Sequence, residues 1–203
     1  MAHIVSIARI TARQDPNGVT LASGGLPPLL GIESNGFFVR SPLAAYVDPP
    51  LPARDGLFRQ PTDVAWDSKG NIYITDGYVD SRVAKYDRNG DWVKQWGTRG
   101  SGPGQFNTPH SIVIDRDDHI YVGDRGNRRV QVFDADGNFL RQWTVDVAPD
   151  FTTRAVNGPT PPAGSTQGVG APNSLCIPPN QNEVMFLGES TWPGRVFKVA
   201  LDG

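Results

Sequence analysis

Short bursts of alternating apolar and polar residues run through the middle of the chain, and they recur in a fixed order. TDVAWD, NIYITD, RVAKYD and DWVKQWG are followed by SIVID, HIYVGD, RVQVFD and FLRQWTV. Each burst is rich in Val, Ile and Tyr, and each is bounded by Asp, Asn and Gly. That pattern predicts half-buried strands joined by tight turns, because these boundary residues accept positive φ or bond their own backbone. Helical periodicity is absent from this region.

The bursts belong to a repeat. FRQPTDVAWDSKGNIYITDGYVDSRVAKY lies over FNTPHSIVIDRDDHIYVGDRGNRRVQVF almost residue for residue. Pro61 matches Pro109, Asp67 matches Asp115, Asp76 matches Asp124, and Arg82-Val83 match Arg129-Val130. Four antiparallel strands in about 45 residues form one blade of a β-propeller. The fold class predicted is therefore all-β, a propeller of four-stranded blades. Blades are expected over 57–105 and 106–145. A degenerate third copy is expected over 170–203, with Pro172, Glu189 and Arg195 at the marker positions. Residues 146–169, rich in Pro, Gly and Thr, read as a surface loop. Residues 1–56 do not fit the repeat and read as an irregular N-terminal segment or a degenerate blade. About three blades do not close a ring of four to eight. Closure is expected to need missing blades, residues 1–56, or another chain.

Composition narrows the picture only a little. The 203 residues carry a formal charge of −2, with 23 Gly and 18 Pro, which suits a turn-rich chain and gives no reason to expect nucleic acid. The acids Asp115, Asp117, Asp118 and Asp124 interleave with the arginines of the second copy and cancel a basic face. The single Cys176 rules out an internal disulfide and reads as a small buried side chain. No apolar stretch approaches the length of a membrane span or of a signal-peptide core, so the chain reads as soluble, or as the mature part of an exported protein. Trp66, Trp96 and Trp143 are expected in the core between blades. Arg82, Arg129 and Arg195 recur in every copy and are expected to pair with the acid of the same loop. His119, matched by Asn71, is expected in an exposed turn.

The combination DGYVDSR, GSGPGQFNTPHS and DRGNRR, in that order and at close spacing, resembles the NHL-repeat propellers and, within them, peptidyl-α-hydroxyglycine α-amidating lyase and its bacterial homologues. The likeness covers residues 57–143 well and 170–203 weakly. It implies part of a six-bladed ring and a metal-dependent lyase that cleaves a carbinolamide to a peptide amide and glyoxylate. It further implies a zinc held by three histidines, with a structural calcium nearby. Carried over position by position, His110 is a zinc ligand, Tyr78 the general base, and Arg125 the residue facing the substrate carboxylate. Neutral imidazoles suit zinc, and an arginine suits a carboxylate. The alternative is a non-catalytic propeller that binds a protein or small ligand. Thr62, His110 and Asn173 share one repeat position and are expected to line a common channel. With His3 outside the repeats and His119 in a turn, only one imidazole falls at such a position.

Overall fold

The computed structural model describes residues 58–145, 147, 170–189 and 194–203. The N-terminal segment 1–56 and the loop 146–169 fall almost wholly outside the described residues. The first sheet runs β1 (Pro61–Trp66), β2 (Ile72–Asp76), β3 (Arg82–Tyr86) and β4 (Trp92–Trp96), all neighbours antiparallel. Two short strands, β5 (Thr98–Arg99) and β6 (Gln105–Phe106), pair in parallel within the Gly-rich linker, a detail the repeat pattern did not reveal. The second sheet repeats the plan with β7 (Pro109–Ile114), β8 (Ile120–Asp124), β9 (Arg129–Phe133) and β10 (Phe139–Trp143). A third, three-stranded sheet follows: β11 (Pro172–Cys176), β12 (Val184–Glu189) and β13 (Val196–Ala200).

One turn chemistry joins the strands. Asp67, Asp87, Asp115 and Asp134 each place a carboxylate oxygen on the N–H groups two and four residues ahead, at 2.8–3.0 Å. The residue three ahead is left-handed: Gly70, Gly90 and Gly137, with Asp118 (φ 61°) standing in for glycine in the second blade. Glycine carries that conformation without cost, and aspartate is among the side chains that tolerate it.

The blades pack face to face. Tyr73, Val83 and Ala65 of the first meet Phe106, Ile112, Ile120, Val122 and Phe133 of the second. Tyr121, Val130 and Val132 meet Leu175, Met185 and Leu187 of the third. Burying each large side chain contributes roughly 1.5–3 kcal/mol, so these two faces hold the sheets in sequence. Two expectations need correction. Trp66 is 36% exposed, whereas Trp96 and Trp143 are half-buried, Trp96 against Phe133 of the next blade and Trp143 against Tyr121 of its own, within the cluster shared with the third. Cys176 is exposed, because alternate β11 residues point to the face away from the second blade.

The recurring arginines close each blade as expected. Arg82 bonds Asp76, Arg129 bonds Asp124 at 2.8 Å, and Arg195 bonds Glu189. Arg129 also donates to the carbonyls of Ser101, Gly102 and Gln105, stitching the linker to the blade. Removing one partner of such a pair leaves a buried charge uncompensated. Arg129→Met is therefore expected to lower the unfolding free energy by about 3–5 kcal/mol in urea titrations. A loss below about 1 kcal/mol would mean that Asn107 N, Asn127 Nδ2 and Gln131 Nε2 satisfy Asp124 without Arg129.

Candidate functional site

Each inner strand carries the same irregularity one residue after its proline. The ladder skips between Pro61 and Asp63, between Pro109 and Ser111, and between Pro172 and Ser174. The skipped residues are Thr62, His110 and Asn173. A bulge leaves its extra residue unpaired and re-aims the side chain, so three successive blades turn this position off the ladder, and in the first two it reaches the neighbouring inner strand. The Thr62 hydroxyl donates to the Pro109 carbonyl at 2.8 Å, and His110 Nδ1 reaches the Asn173 carbonyl at 2.8 Å. The shared repeat position thus gathers the inner strands.

Tyr78 and Arg125 come from matching places, the loops after β2 and β8. In the first blade the loop is Gly77–Ser81. A Cβ on Gly77 would lie 2.1 Å from the Pro109 carbonyl oxygen, so no other residue fits without parting the blades. Val79 and Asp80 turn inward, and Ser81 closes the loop in the left-handed region at φ 50°. Tyr78 is left pointing outward, 43% exposed. In the second blade a single 3₁₀ turn, Arg125–Asn127, holds Arg125, and Arg128 at φ 58° takes the place of Ser81.

These side chains meet His110. Arg125 Nη1 donates to the Tyr78 hydroxyl at 2.9 Å, and the Tyr78 hydroxyl lies 3.1 Å from His110 Nε2. The rings of Tyr78 and His110 stand edge to face at 5.7 Å, and the Arg125 guanidinium lies 5.8 Å from the Tyr78 centroid. The Asn173 carbonyl only accepts, so His110 Nδ1 carries the hydrogen and Nε2 offers its lone pair. Donation therefore runs one way: Arg125 to Tyr78, Tyr78 to His110 Nε2, and His110 Nδ1 to the third blade. A proton leaving Tyr78 has an acceptor in line, and the charge left behind faces a guanidinium.

Sequence reasoning missed an acid behind this group. Asp63 stands where the other copies have Ser111 and Ser174, and its carboxylate accepts the Val64 and Ile112 N–H groups at 2.8 and 3.0 Å. Burial pushes its carboxyl above the usual range, against the pull of those N–H groups. The departure from the repeat was the available signal.

The residues do not by themselves fit a three-histidine zinc. The orientation of His110 leaves Nε2 suited to one metal bond. Among the described residues His119 is the other imidazole, and it lies beyond the far end of β7, about 17 Å of strand away. His119 belongs to a grouping with Asp115 and Asp117 whose ligand atoms lie within 4.8 Å of one another. That grouping is the repeat's turn. Asp115 is engaged by Asp117 N, His119 N, His119 Nδ1 and the Tyr121 hydroxyl, matching the set that Asp67 accepts.

A family model described as a 6-bladed beta-propeller matches residues 53–158, just over half of the chain. "Peptidyl-glycine alpha-amidating monooxygenase A" of Xenopus laevis is 41% identical over 118 residues, covering 50% of this chain and 13% of that protein. "NHL repeat-containing protein 3" of Homo sapiens is 40% identical over 91 residues, covering 42% of this chain and 26% of that protein. A "Probable peptidyl-alpha-hydroxyglycine alpha-amidating lyase" of Caenorhabditis elegans is 42% identical over 81 residues, covering 38% of this chain and 23% of that protein. The chain thus spans about a quarter or less of these relatives' own lengths. No described helix is long and apolar enough to cross a membrane.

Two outcomes follow from the geometry. Gly77→Ala is expected to cost about 1–3 kcal/mol of stability, as overpacking does, and to shift the Tyr78 and His110 NMR resonances together. His119→Asn, which copies Asn71, is expected to leave the thermal midpoint within about 2 °C of the parent. A larger fall would give the imidazole a role beyond the turn.

Proposed function

We infer, from the premise that the chain belongs to the 6-bladed β-propeller family, that it carries part of a lyase site for an α-hydroxyglycine-type carbinolamide. The observation that supports the reading is the continuous hydrogen-bonded chain Arg125–Tyr78–His110, drawn from two blades and anchored on a third. A carbinolamide collapses when its hydroxyl loses a proton, the carbonyl forms, and the C–N bond breaks with the electron pair leaving on nitrogen. The amide nitrogen then takes a proton. Tyr78 is the proposed base at the hydroxyl, and it returns that proton to the leaving amide nitrogen; the single lone pair of His110 Nε2 either takes the Tyr78 proton or binds a metal, not both. The remaining N–H groups of the Arg125 guanidinium are suited to the substrate carboxylate. Zinc in the same place would polarise the substrate oxygen. The described residues would give it His110 alone, and the other donors would come from beyond them.

A second reading is favoured by that shortage of imidazoles: an NHL-type propeller whose loops bind a protein or a small ligand. Metal content and turnover separate the two. The lyase reading expects about one zinc per chain by elemental analysis, lost in His110→Ala, and glyoxylate released from an α-hydroxyglycine peptide. Tyr78→Phe should then cut glyoxylate release by about 10²- to 10⁴-fold with the thermal midpoint unchanged. Neither zinc nor glyoxylate from the folded wild type would leave the binding propeller.

A further inference from the structure

Asp80 stands out from the repeat. The residue before the left-handed position of this loop is Asn127 in the second blade and Asp80 in the first, each followed by the residue that leads into the paired arginine. Asn127 Nδ2 donates to the Asp124 carboxylate at 2.8 Å and to the Gly100 carbonyl at 2.8 Å. Asp80 shares Arg82 Nη2 with Asp76, the counterpart of Asp124, at 3.7 and 3.2 Å, and has no amide to donate. Its side chain is fully buried, and neither of its oxygens takes a well-aligned hydrogen bond. Three groups among the described residues face it: Asp76 from β2, Arg82 from β3 with Nη2 at 3.7 Å, and Arg59 ahead of β1 with Nη1 at 3.1 Å but out of line. Arg82 is already bonded to Asp76 and Gln95, and Asp76 is already accepting the Arg59 and Gln60 N–H groups.

We propose that Asp80 is a proton-carrying latch. Its protonated carboxyl donates to Asp76 as Asn127 donates to Asp124, and loss of that proton as pH rises loosens the Gly77–Ser81 loop that presents Tyr78. Burial and the adjoining Asp76 charge push the Asp80 carboxyl up to about 7, against the opposing pull of Arg59 and Arg82. The sign follows. A folded-state value above the ordinary 3.8 means that the native protein holds the extra proton between those limits. This contribution to stability is therefore greatest at acid pH, falls as pH rises across that window, and is flat above it. Asp80→Asn writes the second blade's residue into the first and fixes the latch closed. Asp80 is a positioning residue here, acting on Tyr78 through the loop, and the latch operates whatever the site binds.

The test compares wild type with Asp80→Asn at pH 5 and pH 8, without any turnover assay, so a chain with no lyase activity tests it equally well. Between those pH values the wild-type thermal midpoint is expected to fall by about 5 °C more than that of Asp80→Asn. Amide hydrogen exchange across residues 77–81 is expected to be at least tenfold faster in wild type than in Asp80→Asn at pH 8, and equal at pH 5. Equal pH slopes, with Asp80→Asn the less stable protein throughout, would make Asp80 an ionised partner of Arg59 and overturn the latch. Should Asp80→Asn fail to fold, ¹³C-carboxyl NMR of wild type decides: an Asp80 midpoint above pH 5.5 upholds the latch, and one below it overturns it.

Discussion

The structure depends on one contact repeated three times, the buried acid at the end of a blade's second strand and the arginine that opens its third. Asp76 with Arg82, Asp124 with Arg129, and Glu189 with Arg195 each join two strands across their loop. The same carboxylates reach a second target, the backbone arriving at the blade. Asp76 accepts Arg59 N and Gln60 N, Asp124 accepts Asn107 N, and Glu189 accepts Gly170 N. One side chain thereby satisfies a loop and docks the incoming inner strand. Because the carboxylate is deeply buried, it is costly unless every one of these donors is in place. The contact therefore specifies where each blade starts as much as it stabilises it.

The site follows from that specification. Once the entry of the second blade is tied to Asp124, Pro109 and the bulged His110 lie next to the Gly77–Ser81 loop of the first blade. The blade-to-blade apolar faces set the spacing, with Phe133 of the second sheet packed against Tyr73 of the first through Trp96, and Phe106 of β6 in the same cluster. The hydrogen-bonded chain from Arg125 to Asn173 thus crosses three blades through groups held by stiff strand ends. Its outward face stays open to solvent at Tyr78.

Much of this was legible in the sequence because a repeat aligns positions that share an environment. The strands, the turn aspartates and the arginine pairs all came from matching one copy with the next. Thr62, His110 and Asn173 were matched in the same way, and the bulge they share was not visible in a strand pattern. What failed was burial, which depends on which blade covers a face. Trp66 and Cys176 look like core residues within their own strands, and their exposure is decided by a neighbour that the strand does not encode. The parallel pairing of Thr98–Arg99 with Gln105–Phe106 was also hidden, since two residues in a Gly-rich linker carry no periodicity.

The residues that the copies share and the residues in which they differ divide the labour. Shared acids, arginines and turn aspartates hold the blades, and a change at Asp76, Asp124, Arg82 or Arg129 strikes a buried, bonded group. The differences that bear on the site cluster around the entry ends of the inner strands. Gly77 presses on Pro109, Tyr78 and Arg125 occupy the loops, His110 replaces Thr62, Asp63 replaces Ser111, and Asp80 replaces Asn127. Two of these, Asp63 and Asp80, put a carboxyl where its neighbours in the repeat carry a neutral group, and both are pushed above the ordinary carboxylate range chiefly by burial. Serine and asparagine fill the same places in the second blade. Asp124, an acid that holds its blade, is raised by burial in the same way, so the shifts of Asp63 and Asp80 mark how deeply the entry ends of the blades are buried, next to where Tyr78 meets His110.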